Sequence, residues 1–291
     1  MRLGLFCSTK DNTLSTNRSF KLASLCKERL IETVKQNLED LGPLLALCQH
    51  RGISMFRLGN AIVPFASHKA FDQAWWEELA PFFDTARLTC KDAAVRLSIH
   101  PGQFIQLGSP HPLVVEASLR ELAYCTRVLD LLGAREGVIT LHVGGAHGDK
   151  EATMERFYQV CVANPWLGKY LALENDEYNF NAQETLSLAR RCGIGMIFDS
   201  FHHSIHPSTV TWEAIKESWG AKRPKVHISS QGDGKVGMHA PFITQENLAW
   251  LVDFLGDDQH DVDIMVEAKA KEEAVEAIKR IIGEAEWKKA V

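Results

Sequence analysis

The chain lacks most of the features by which enzyme classes declare themselves. Its seven cysteines, at 7, 26, 48, 90, 125, 161 and 192, form no C-x-x-C pair. That removes dithiol redox chemistry, and an odd, dispersed set suits reduced, mostly buried thiols with no chemistry assigned to them. No run approaches the roughly 18 uninterrupted apolar residues of a membrane helix, and the start, MRLGLFCS, has no extended apolar segment or cleavage site. A cytoplasmic protein with no membrane partner is expected. No Pro/Gly/Ser-rich linker, low-complexity tract or short-period repeat divides residues 1–291, so one domain is expected. Excess positive charge is also missing: the net charge of −5 means that a nucleic-acid partner needs a local basic surface or bound cations to offset phosphate repulsion.

What the chain has is rhythm. Short β-rich runs at 2–6, 54–58, 95–99, 138–142, 171–175, 196–199, 225–229 and 263–267 alternate with segments such as 27–50 and 113–132. These carry apolar residues at the mixed three- and four-residue spacing of amphipathic helices. Eight strand-helix units predict an α/β fold of the (β/α)8 TIM-barrel type, with EEAVEAIKRIIGEAEWKKA at the end as the final helix. An open doubly wound sheet is the other architecture weighed, but it normally carries a glycine-rich phosphate loop after its first strand, where this chain has Cys7-Ser8-Thr9-Lys10.

The late strands end in chemistry: His100 after the third, His142 at the fourth, Glu174 at the fifth, Asp199 at the sixth, His227 in the seventh and Glu267 at the eighth. A barrel gathers its strand ends at one mouth, so residues far apart in sequence converge. One histidine at a strand end is ordinarily a satisfied polar residue. Three imidazoles and three carboxylates brought together repel and lose solvent, a cost that divalent cations relieve. Nitrogen and oxygen donors without clustered thiolates suit Mn²⁺, Zn²⁺ or Fe²⁺. His202, His203, His206 and His239 lie in the following loops and extend the candidate set to a third cation. Lys225 stands two residues from His227, so both can point inward, although an outward lysine at a strand start is the equal alternative. No Ser-His-Asp pattern or P-loop competes, and hydrolysis by metal-activated water is the natural chemistry.

LSIHPGQF (97–104), LHVGGAHGDK (141–150), LALENDE (171–177), FDSFHH (198–203), PKVHISSQ (224–231) and MVEAK (265–269), with STNR (15–18) and FRLGNAIVPFASH (56–68), resemble the UV-damage endonucleases over nearly the whole chain. The resemblance implies a barrel related to endonuclease IV and to xylose-isomerase-like barrels, with two or three divalent cations, usually manganese. It implies incision of UV-damaged double-stranded DNA immediately 5′ to the photoproduct. By motif, His100, His142 and Glu174 would hold one cation, Glu174, Asp199, His227 and Glu267 a neighbour, and His202 and His239 a third. Glu174, Lys225, His227 and Glu267 would form the catalytic heart, with Lys225 as the family's carboxylated lysine.

The same resemblance makes Gln103 and Phe104 a wedge that probes the lesion; Phe104 can stack on bases but lacks a phenol hydroxyl. Where some members place a tyrosine and an asparagine at the lesion pocket, this chain has Leu5 and Thr9. Arg18, Arg57, Lys150 and Lys269 lie in or beside matched motifs as candidate phosphate contacts, and the glycines of GGAHG (144–148) could let backbone approach DNA. The implied course is duplex bending and flipping of a lesion whose stacking is already weak. A monomer is expected, since a bent duplex must reach the mouth. A metal-dependent barrel acting on abasic DNA or a small sugar, and a binding module that kept the fold but lost catalysis, are the alternatives.

Overall fold

Eight parallel strands pair in sequence order and close into a barrel, the last against the first. In the computed structural model, which describes residues 1–102 and 104–290, they are β1 (Arg2–Phe6), β2 (Met55–Leu58), β3 (Arg96–Ile99), β4 (Val138–His142), β5 (Leu171–Glu174), β6 (Gly195–Asp199), β7 (Lys225–Ile228) and β8 (Asp263–Val266). Between and after them run α1 (Lys27–His50), α2 (Trp75–Ala93), α3 (Pro112–Leu131), α4 (Lys150–Ala163), α5 (Ala182–Cys192), α6 (Ser200–Ile205), α7 (Trp212–Ser218), α8 (Gln245–Leu255) and α9 (Glu272–Ala290). This is the TIM barrel the alternation predicts. Helix α1 matches its expected span, and α3 starts one residue early, at Pro112, where proline's missing N–H is harmless. No helix among the described residues is long and apolar enough to cross a membrane.

Strand alternation sorts the side chains into two compartments. Leu3, Leu5, Phe56, Leu58, Leu97, Ile99, Leu141, Leu173, Val226 and Ile264 join the core formed with the helices, where α1 contributes Leu30, Val34, Leu38, Leu41 and Leu45 at helical spacing. The other face lines the barrel interior in layers. At the floor Asp263 takes Arg2 Nε and Arg96 Nη1, each at 2.7 Å. Above it a Cβ on Gly4 would meet the Met265 methyl at 2.9 Å and Met55 Cβ at 3.3 Å, so a side chain there would displace Met265. The top layer holds the histidines and carboxylates.

The same alternation corrects the reading of β1. Leu5 is fully buried in the helix-side core, whereas Phe6 faces the interior, with the Arg57 guanidinium 4.8 Å and the Lys271 ammonium 3.2 Å from its ring centroid. Thr9 is buried and donates to Asp11 Oδ1 at 2.6 Å within its own loop. Phe6 is therefore the aromatic that β1 sends to the mouth.

Candidate metal centre at the barrel mouth

Glu174, at the end of β5, sits at the centre of the mouth and is 1% exposed. Its Oε2 lies 3.0 Å from His100 Nε2 and 3.5 Å from His142 Nε2, while Oε1 lies 2.6 Å from His227 Nδ1. The same His227 nitrogen is 3.1 Å from Glu267 Oε1 and 3.9 Å from Asp199 Oδ2. Three carboxylates thus converge on one ring nitrogen, more than a single N–H can serve. Ligand atoms of His100, His142 and Glu174 come within 4.8 Å of one another, as do those of Glu174, Asp199 and His227. The two groups share Glu174.

Local structure aims these groups. Asp199 caps α6, accepting from the Phe201 and His202 N–H groups through Oδ1, both at 2.8 Å; its Oδ2 has no hydrogen-bond partner among the described residues. The cap also sets His202 in the first turn of α6, where its Nδ1 lies 3.0 Å from the Asn175 carbonyl. His100 Nδ1 likewise lies 3.1 Å from the Pro101 carbonyl. In each ring a backbone acceptor favours the proton on Nδ1 and leaves Nε2 as the ligating nitrogen. Asn175 clamps β5 to β6 by a reciprocal pair with Asp199 backbone, at 2.9 and 3.1 Å.

The electrostatics are those of a cation site. Burial pushes the His100 imidazole down to about 4, so it is neutral, as a ligand must be. Burial pushes Glu174 up, but His227 and His142 outweigh it and hold its carboxyl well below the usual range. Asp199 is raised, by burial and by Glu174, against the pull of His202. Glu174 Oε2, Asp199 Oδ2, His142 Nδ1 and His227 Nε2 are buried without hydrogen-bond partners among the described residues. Buried polar atoms are ordinarily satisfied, and this donor set of imidazoles and carboxylates with idle oxygens fits divalent cations. The residues present therefore support divalent-metal binding.

His202 resists burial through Asp199 and Glu174, which raise it from 6.5 to about 9. In metal-free protein its proton does part of a cation's work. That contribution is fully present below pH ~6.5 and is lost as pH rises through about 9, a linkage of about 3 kcal/mol. Melting curves of chelated wild type and His202→Gln should differ most below pH ~6.5 and converge above pH ~9; a gap that widens with pH would contradict the assignment.

The other expected residues are placed unevenly. His239 comes to Glu267 at 3.8 Å and joins the mouth. His203 does not: its ring packs 5.1 Å from Phe198 and 5.9 Å from Trp250, outside the barrel. Lys225 is fully buried beneath the metal layer, donating to Thr140 Oγ1 at 2.8 Å, and burial lowers its amine to about 7. Arg57 is turned inward onto Glu267. Arg18 pairs with Asp40, and Lys150 pairs with Glu184 at 2.8 Å, tying α4 to α5. Lys269 is exposed. Phe104 is 62% exposed, and its ring passes so close to Gly102 that a Cβ there would lie 2.8 Å from it. Gln103 falls outside the described residues.

Several residues at the mouth were not singled out by the sequence. Glu177 Oε2 lies 3.6 Å from His202 Nε2. Tyr178 is 66% exposed, its loop held by Asp176, which accepts from the Tyr178 and Phe180 N–H groups at 2.8 and 3.1 Å. Both follow Glu174 within LENDEY; an aromatic a few residues beyond a ligand motif was the available signal.

A parallel barrel whose mouth gathers imidazoles and carboxylates about one shared glutamate is a TIM-barrel enzyme equipped for divalent cations. Comparison with known proteins narrows this. The family described as UV-endonuclease UvdE matches residues 5–288. A UV DNA damage endonuclease of Bacillus cereus (strain G9842) is 31% identical over 276 residues, covering 88% of this chain and 87% of its own. The crystal structure of SacUVDE superposes with a TM-score of 0.89 at 32% identity over 99% of both chains. Endonuclease IV from Thermus thermophilus, at 16% identity and a TM-score of 0.61 over 98% of this chain and 100% of its own, shares the fold. The chain belongs to the UV-endonuclease UvdE family and is, as such, a UV-damage repair endonuclease, a nuclease acting on DNA.

Proposed function

We propose that the enzyme incises double-stranded DNA immediately 5′ to a UV photoproduct, as a cytoplasmic monomer in which residues 1–291 act as one domain. The observation that carries the reading is Glu174, shared by two groups of ligands, with its own Oε2 and Asp199 Oδ2 buried and idle among the described residues. His100, His142 and Glu174 would hold one ion, Glu174, Asp199, His227 and Glu267 a second, and His202 with His239 a third, with manganese the favoured metal. When bound, such ions lower the pKa of water and neutralise charge developing on the phosphate.

The chain's own residues do the rest. Arg57 holds Glu267 in place, and Asn175 and the α6 cap fix Asp199 and His202. Lys225 would be the carboxylated lysine: an amine lowered to about 7 has a large uncharged fraction, about half, at neutral pH, and it is the free amine that adds to CO2, releasing a proton. Phe104 stands exposed on the β3 loop, and Tyr178 lines a cavity of about 220 Å³ with His100, His142 and Gly144. Both offer ring faces to bases leaving the stack. Lys269, exposed beside Glu267, is the freest of the expected phosphate contacts, with Arg18 and Lys150 secondary because they already hold carboxylates. Gln103 completes the wedge.

The test is nicking of a duplex bearing one thymine dimer, beside undamaged and abasic duplexes, with Mn²⁺ and with chelator. A metal-dependent cut 5′ to the dimer is expected; cutting only the abasic duplex, or none, overturns the reading. In the same assay Phe104→Ala should reduce incision at the dimer by about tenfold or more, from the 1–3 kcal/mol of a base stack, with metal content unchanged.

A further inference from the structure

At the opposite end of the barrel, the starts of β3, β4, β5 and β6 and the segment leading into β7 enclose a second cavity, of about 170 Å³. Arg96, Arg135, Lys169, Lys222 and Arg223 line it, against one acid, Glu136, among the described residues. In a chain of net charge −5 this concentration of cations is conspicuous, and their partners do not balance them. Lys169 has Asp130 at 2.5 Å. Arg223 has, among the described residues, only Asp261, at 3.5 Å and mostly in solvent. Lys222 bonds to two carbonyls, of Gly168 and Lys169, at 3.2 and 3.1 Å. Arg135 has no carboxylate partner among the described residues.

Arg96 is the decisive group, because it is buried at the base of the cavity. It gives Nε to the Glu136 carbonyl at 2.7 Å, and Nη1 to the Arg223 carbonyl at 3.0 Å and to Asp263 at 2.7 Å. Asp263 is shared with Arg2, so one carboxylate serves two guanidiniums. The Nη2 of Arg96 has no protein partner among the described residues and is left for the cavity. Charges at the floor of such barrels ordinarily serve stability. Here Arg2 and Arg96 divide one carboxylate between them, and burial together with the Arg96 charge lowers the Lys222 amine.

We propose that this cavity is an anion site that takes a phosphate group, either inorganic phosphate or the phosphate of a mononucleotide. A guanidinium at the base with ammonium and guanidinium groups at the rim matches the several acceptor oxygens of a phosphate. The volume is that of about six waters at about 30 Å³ each, enough for the anion and part of a substituent, with Tyr170 and Trp219 as the less polar wall. The site is independent of the mouth and of the DNA reading.

Calorimetric titration of the metal-loaded enzyme with inorganic phosphate and with AMP, at fixed ionic strength, tests it. Lys222→Ala/Arg135→Ala alters two exposed side chains and should weaken phosphate binding at least tenfold while incision of a dimer-bearing duplex stays unchanged. Glu174→Gln, at the mouth, should leave this binding intact. Tighter binding of AMP assigns the mononucleotide, and binding of inorganic phosphate alone assigns the free anion. No phosphate binding to wild type, equal affinity in the floor variant, or loss only in Glu174→Gln overturns the proposal. So does a tetraglutamate peptide that binds where phosphate does not, which would make the floor a docking site for acidic peptides.

Discussion

Glu174→Gln should lower incision by about a thousandfold or more while leaving the barrel folded. Its Oε1 lies 2.6 Å from His227 Nδ1, and its Oε2 faces His100 and His142 at 3.0 and 3.5 Å with no hydrogen-bond partner among the described residues. Glutamine keeps the volume but loses the charge and turns an N–H toward atoms that should share a cation. Because Glu174 belongs to both ligand groups, the substitution weakens both, whereas loss of His142 weakens one. The effect on folding is smaller. The charged carboxylate is stabilised in the folded state, so its contribution is present above the ordinary carboxylate pKa, ~4.3, and is lost as pH falls through the depressed value. At pH 7 the variant forgoes that contribution, from which the cost of burying the charge is already subtracted. Single-turnover nicking, metal content by mass spectrometry and far-UV circular dichroism separate the effects. Unchanged turnover with unchanged metal content would remove Glu174 from the site.

The sequence carried the fold because the barrel is written in local terms. Apolar β runs alternate with amphipathic helices, and parallel closure follows from their number and order. It carried much of the mouth for the same reason: one fold brings every strand end to one place, so His100, His142, Glu174, Asp199, His227 and Glu267 could be gathered by position alone. What it did not carry is which charge meets which. Arg57 reads as a phosphate contact until alternation turns it inward beside Phe6 and Glu267. Leu5 reads as a mouth residue until the same alternation sends it to the helices and Phe6 inward. His203 adjoins a site histidine, yet the helix that presents His202 to the mouth rotates its neighbour onto Phe198 and Trp250. Asn175 and Asp176 act through hydrogen bonds to backbone that no residue spacing reveals.

Arg57 supplies the second large effect. Its guanidinium and the Glu267 carboxylate are about one-tenth exposed and bonded to each other, so Arg57→Met strands a buried negative charge beside Glu174 and Asp199. Breaking one side of such a pair costs roughly 3–5 kcal/mol, and metal-free protein should melt several degrees lower. Burial raises Glu267, but Arg57 and His227 outweigh it and hold its carboxyl well below the usual range. The pair's contribution is therefore present above pH ~4.3 and lost as pH falls through the depressed value, so the stability gap between variant and wild type should be widest near neutrality and narrow in acid. Adding Glu267→Gln to Arg57→Met should recover most of the loss in metal-free protein, since no unpaired carboxylate remains, yet incision should stay impaired because Glu267 itself is gone. A phosphate-contacting arginine behaves in the opposite way. Its loss leaves the melting temperature alone and reduces the salt dependence of DNA binding by about one counterion, and that pattern in Arg57→Met would return the residue to the DNA interface.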